Sequence, residues 1–308
     1  MTTPTPTYRI GDVTVTRIHE FPITGKNPNN LYPGAGIEAL QRHRNAFGHG
    51  SVDPADGSLI QSVHSWLVRT RHHTILIDTA TGNGKSRPFA PMLDHRNDPY
   101  LDRLAAAGVQ PEDVDYVLLT HLHADHVGWN TRRDGDRWVP TFTNARYLFS
   151  ATEQSDNESQ RIDPVAPASN TALGSRERTP YPGVFDDSVL PVIEAGLAMT
   201  VPVDGSEVLD GLSFLPTPGH SIDHASIRLR SRGEEALFAG DVMHHPLQVY
   251  EPALNSCFCE FLDAAQRSRL WALEYAAAHN TTFFSSHFGE TSAGRVTRKG
   301  DRFNWHFV

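Results

Sequence analysis

Between Thr120 and Gly128 the chain reads Thr-His-Leu-His-Ala-Asp-His-Val-Gly, three imidazoles and a carboxylate within six residues. These are the borderline and hard donors that suit Zn²⁺ and neighbouring transition ions. The apolar run Val117–Leu119 comes just before them. If His121 and His123 leave a strand on extended chain, the two-residue period points both rings to one side. The next turn would aim Asp125 and His126 at a second point, so one short loop could serve two metals. Three later positions supply more donors, each at the end of an apolar stretch. His220 follows Pro218-Gly219 after Leu212–Leu215, Asp241 follows Phe238-Ala239-Gly240, and His287 closes Phe283-Phe284-Ser285-Ser286. Gly240 permits close backbone approach just before the carboxylate. A histidine-rich surface loop would explain the first run alone; it does not explain five histidines and two aspartates recurring at strand ends.

The elements that must position these groups alternate in character. Val13–Phe21 reads as an opening strand, and Leu59–Val68 with His73–Asp78 as a hairpin around Thr70–His72. Tyr100–Ala107 suits a short helix stopped by Gly108. Val114–Leu119 feeds the histidine loop, and Ala145–Phe149 is a further strand followed by a helical start at Thr152. Phe185–Ala195 reads as helix and Leu197–Val203 as strand. Glu207–Leu215, Ser226–Arg230 and Glu235–Ala239 would build a second sheet. Phe261–His279 is an alanine-rich helix with Leu262, Ala265, Leu273 and Ala276 near one face. Asn27–Gly57, rich in Gly, Pro and Asn, reads as a long loop or flap carrying Leu31, Tyr32 and Phe47. Ser155–Arg178 is polar and reads as an exposed linker or lid. Spacing by itself establishes a mixed α/β protein, and the spread of the donors along the chain predicts one domain over residues 1–308.

The pattern Asp78, His121-x-His123-x-Asp125-His126, His220, Asp241 and His287 resembles the metallo-β-lactamase-fold hydrolases, from about residue 60 to residue 290. The resemblance implies an αββα sandwich carrying two Zn²⁺ or other divalent transition ions. One metal would be held by His121, His123 and His220, the other by Asp125, His126 and His287, with Asp241 bridging. Asp78 matches the family's first motif, where it braces the metal loop rather than binding metal. A carboxylate at Asp241 is similar to glyoxalase II, the acyl-homoserine lactonases and methyl parathion hydrolase, and differs from true zinc β-lactamases. The absence of an obvious basic cluster in the last third argues against glyoxalase II, although Arg295, Arg298 and Lys299 keep it open. The nearest pattern is the lactonase and methyl parathion hydrolase type. Where many relatives read Gly-Gly after the metal loop, this chain has Gly128-Trp129-Asn130, and the indole is expected to wall the pocket.

The chemistry implied is hydrolysis by a metal-bridging hydroxide. Two-metal sites hold their ions roughly 3.5–4 Å apart, bring a shared water toward neutral pKa and clamp attacking and leaving oxygens. Asp125 and Asp241 are candidates for proton relay. The expected substrate is a small, largely neutral lactone, carboxylic ester or phosphotriester. Against this stands an iron-dependent redox enzyme, or a non-catalytic metal-binding protein, of the same fold. Redox members commonly add a flavin domain or hold one iron; here the length leaves no room for such a domain, and no donor is lost.

With 27 basic and 36 acidic residues, net −9, the 308-residue chain offers no positive face for a phosphate backbone, so no nucleic-acid partner is expected. At 39% hydrophobic content it can bury a substantial core, and no apolar run is long enough to span a membrane. The first residues lack the features of a signal peptide. Cys257 and Cys259, too close for an ordinary structural disulfide, read as reduced thiols packed beside Phe258 and point to the cytoplasm. A small-molecule partner is expected, and a homodimer is left open. Of 17 histidines, His244 and His245 follow Asp241 closely enough to reach the pocket, as would His64 on its strand. His224, four residues after His220, reads as a core group or as a support for the metal ligands.

Overall fold

Strand periodicity explains most of the architecture. In the computed structural model, which describes residues 6–43, 46, 50–162 and 170–308, the first half begins with β1 (Thr7–Ile10), β2 (Val13–Lys26), β3 (Leu59–Arg69), β4 (Thr74–Ile77) and β5 (Tyr116–Leu118). A small hairpin, β6 (Thr131–Asp134) and β7 (Arg137–Pro140), precedes β8 (Arg146–Ser150). The short pair β9 (Asn170–Thr171) and β10 (Gly174–Ser175) comes before β11 (Ala198–Val201). Seven of these strands form one sheet in the order β1-β2-β3-β4-β5-β8-β11, antiparallel as far as β4 and parallel beyond it. A second seven-stranded sheet runs in sequence order through β12 (Glu207–Leu209), β13 (Leu212–Pro216), β14 (Ala225–Ser231), β15 (Glu234–Phe238), β16 (Thr282–Phe284), β17 (Ala293–Lys299) and β18 (Arg302–Phe307).

Alternation assigns each sheet two apolar faces. Ile75 and Ile77 of β4 join Ala236 and Phe238 of β15 in the core between the sheets. The intervening Leu76 faces the other way, with Leu104 of α3 (Tyr100–Ala106) and Phe185 of α5 (Pro182–Ser188). Leu237 likewise turns outward to Leu273 and Ala276 of the long helix α8 (Leu262–His279), which comes after the short helices α6 (Leu190–Glu194) and α7 (Leu247–Tyr250). Two packed sheets with helices on both outer faces make the αββα sandwich. Among the described residues no helix is long and apolar enough to cross a membrane.

Two segments depart from the sequence expectation. Asn27–Gly57 is not simply a loop. The Asn27 side chain caps α1 (Pro28–Leu31), α2 spans Gly36–His43, and Leu31, Tyr32, Ala39 and Leu40 are buried in a small cluster. Pro28 at the first helical position starts a helix instead of breaking the chain. Phe47 lies outside the described residues. The Ser155–Arg178 segment is entered by α4 (Ala151–Ile162); many of its described residues are exposed, as expected, while Arg176 is 4% exposed and ties the segment down near its end. Residues 163–169 lie outside the described ones.

Candidate metal centre

The histidine loop is built from the end of β5. Asp78, in the left-handed conformation at φ +55, follows β4 and accepts hydrogen bonds from the Thr120 N–H at 2.8 Å and from His126 Nδ1 at 2.8 Å. The Thr120 hydroxyl also reaches the Asp78 carboxylate and stands 3.0 Å from His121 Nδ1. His287 Nδ1 lies 3.0 Å from the Ser62 carbonyl, to which it donates. In each of these rings the Nδ1 proton is engaged, so the Nε2 lone pair is free to point inward.

Those free nitrogens converge. His121, His123 and His220 form one group of donor atoms, and Asp125, His126 and His287 another. Asp241 lies between them. Its Oδ1 is 3.2 Å from His126 Nε2 and 3.0 Å from His287 Nε2, while its Oδ2 is 3.2 Å from His220 Nε2 and 3.3 Å from His244 Nε2. The Asp241 N–H is fixed by donation to His224 Nε2 at 2.8 Å. Gly240, at φ +55, is required there, because a Cβ would stand 2.4 Å from that same His224 nitrogen.

The donor set fits divalent metal on its own chemistry. Nε2 of His121 and Nδ1 of His244 are buried with no hydrogen-bond partner, an arrangement costly unless an electrophile satisfies them. Burial holds His121 and His220 well below the ordinary imidazole range, which leaves them neutral and able to donate a lone pair. Burial also works against ionisation of Asp241, but the surrounding rings of His126, His287, His220 and His244 outweigh it and keep the carboxylate ionised.

A cavity of about 270 Å³ opens onto this cluster. His123, Asp125, His220, Asp241, His244 and His287 form its polar end, while Ile23, Phe89, Leu93, Tyr181, Val184 and Phe258 supply apolar wall. Lys26 and Arg178 also line it, both placed over the ring of Phe258.

A model described as the Metallo-beta-lactamase superfamily matches residues 60–287. The chain belongs to that superfamily. It is 26% identical over 195 residues to the N-acyl homoserine lactonase AiiA of Bacillus thuringiensis subsp. kurstaki, an alignment covering 58% of this chain and 64% of that protein. The chain thus spans less than two thirds of that relative's length. Among solved structures it is similar to the hydrolase AbOPH of the beta lactamase superfamily, with a TM-score of 0.79 and 24% identity over 100% of this chain and 98% of that one. It is also similar to AidC, a dizinc quorum-quenching lactonase, with a TM-score of 0.77 and 21% identity over 99% and 97% of the two chains.

Within this superfamily member, three expected pocket residues lie elsewhere. Trp129 does not wall the cavity. The short turn Gly128–Asn130 sends its indole into the core, where it stacks on Tyr100 at 5.3 Å and donates to Glu20 Oε1 at 2.6 Å. His64 is buried between Ser62 and the Ser285 carbonyl, and His245 is held by the Ser51 carbonyl and the Leu247 N–H; neither lines the cavity. His244 does line it. The sequence reading missed Glu260, whose Oε1 is 3.4 Å from His123 Nε2. A lone glutamate after Cys257-Phe258-Cys259 carries no spacing signal that links it to the histidine loop.

Proposed function

We propose that the protein is a metal-dependent hydrolase that opens a lactone bearing an apolar tail, of the N-acyl homoserine lactone kind. The observation that carries this reading is Asp241, set between two donor groups at the inner end of an apolar cavity. The names of AiiA and AidC support the substrate class. His121, His123 and His220 would hold one ion, Asp125, His126 and His287 the other, with Asp241 shared and zinc the expected metal. Two such ions, when bound, lower the pKa of a water toward neutrality and polarise the carbonyl under attack.

The chain's own residues do the rest. Phe89, Leu93, Tyr181 and Val184 take the tail and exclude water from the polar end. His244, whose Nδ1 has no hydrogen-bond partner, offers a hydrogen bond to an oxygen of the ring being opened. Asp125 is the more open of the two carboxylates, its side chain 21% exposed against 4% for Asp241, and it is the one to take the proton that the attacking water loses.

Metal analysis with a panel of lactones, aryl esters and phosphotriesters tests this. About two transition ions per chain are expected, with lactone turnover lost to a chelator and regained with zinc. Asp241→Asn should lower metal affinity by more than the roughly 10–100-fold typical of outer hydrogen-bond partners. One tightly held iron with no second ion, or an Asp241→Asn enzyme of normal metal content and turnover, would overturn the reading.

A further inference from the structure

Glu260 is 1% exposed and makes contacts in four directions. Its backbone N–H donates to the His220 carbonyl at 3.0 Å, and its own carbonyl accepts the Glu177 N–H at 2.7 Å. Its Oε2 receives Arg176 Nη2 at 2.5 Å, and its Oε1 stands 3.4 Å from His123 Nε2. Arg176 in turn holds the Asp156 carboxylate of α4 with two contacts, 2.8 and 2.6 Å. The guanidinium is therefore shared by two carboxylates, the buried Glu260 and the half-buried Asp156, and gives both a counter-charge.

The consequence for His123 is specific. Its Nδ1 faces His220 Nε2 at 2.8 Å inside the donor group, so the ring has to keep its proton on Nε2 if Nδ1 is to present a lone pair. A carboxylate oxygen on the Nε2 side favours that tautomer and fixes the ring's rotation. Of the three rings in that group, His123 is the partly exposed one, its side chain 24% open to solvent, so packing alone holds it least.

We infer that Glu260 is the positioning residue for His123 and that, through Arg176, it makes retention of the ion in the His121–His123–His220 group depend on the cavity-wall segment that includes Arg178 and Tyr181. This deepens the metal-dependent lactonase reading and rests on it. Glu260 also borders the cavity, but its role toward the ion is exerted through the imidazole it faces. Arg176 acts one step further away, joining the wall to the glutamate.

The test is ion release from the intact, zinc-loaded protein into a chelator, with cobalt substitution to report each ion's ligand field. Glu260→Ala should speed release of one ion by about 10–100-fold and alter the cobalt spectrum of the all-histidine site, leaving the second ion's release rate unchanged. Glu260→Gln, which keeps an acceptor oxygen toward His123, should recover much of the loss. Arg176→Met, which touches no proposed ligand, should speed release of the same ion by a smaller factor. If Glu260→Ala fails to fold, the Gln and Met variants carry the same comparison. Unchanged release, or equal acceleration of both ions, would overturn the inference. A wild-type chain that takes up no second ion would instead overturn the functional reading, and that failure appears before any substitution is made.

Discussion

Trp129 and Glu20 form a buried pair in which each needs the other: the carboxylate accepts the indole N–H and the N–H groups of Thr81 and Gly82. Trp129→Gly should therefore act on stability before specificity. Truncating a buried Trp costs about 3–5 kcal/mol, whereas Trp129→Phe, which removes the donor but keeps an aromatic ring in the core, should cost less, about 1–3 kcal/mol; thermal melting checks both. A folded Trp129→Gly enzyme of wild-type melting temperature and altered ester preference would restore the indole to the pocket. Glu20 also sets a pH dependence. Burial pushes its carboxyl up from 4.5 to about 7, against the pull of its three hydrogen bonds. The folded state thus binds the proton more tightly than the unfolded one. The corresponding stability is fully present below pH 4.5 and is lost as pH rises through 7, by up to roughly 3 kcal/mol. Glu20→Gln should flatten that loss, measured as the difference between wild-type and variant stability at pH 5 and pH 8. Parallel profiles would show that Glu20 ionises normally. The metal-type residues were legible in the sequence because their chemistry is unusual in that density. The direction of Trp129 was not, because its place just after the metal loop carries no sign of which way the side chain turns.

Strands and the long helix were legible as elements because periodicity reports burial directly. Ala265, Leu273 and Ala276 are buried on α8 as their spacing predicts, though Leu262, the first residue of α8, stays 37% exposed. Composition misled in Asn27–Gly57, where Asn and Pro mark a helix start as readily as a turn. Glu207–Leu215, read as one strand, is two, broken at Asp210-Gly211, with both residues at positive φ. The docking of α8 bears on the site through Gly219. At φ +127 it lies so close to the helix that a Cβ would stand 2.0 Å from the Ala265 nitrogen. Gly219→Ala should push the His220 loop away from α8, lowering both melting temperature and metal content. A variant with a lowered melting temperature and two tightly held ions would show that the loop moves independently of His220.

Across the whole molecule, the donor cluster gathers buried imidazoles and carboxylates that repay their desolvation only when satisfied together. Stripping the ions should therefore destabilise the fold. With free zinc about a thousandfold above its Kd, the bound state gains about 4 kcal/mol, which calorimetry with and without a chelator would register. Equal melting temperatures would mean that the cluster is stable without metal. The sandwich was legible at this scale only through the family resemblance that the motifs carry, spacing alone giving a mixed α/β protein, whereas the cavity was not legible. Its walls come from β2, from Phe89 to Leu93, from Arg178 to Val184 and from Phe258, segments with no shared pattern.

The two sheets divide the site between them: His121, His123, Asp125 and His126 follow a strand of the first, while His220, Asp241 and His287 follow strands of the second. Because chains fold from the N-terminal side as they are made, a nascent chain carries the first four before any donor of the second sheet exists, and the full set is present only once His287 has been synthesised. Completion of the donor cluster is then a late step of maturation, and the half-made protein carries the histidine loop ahead of the residues that close the site.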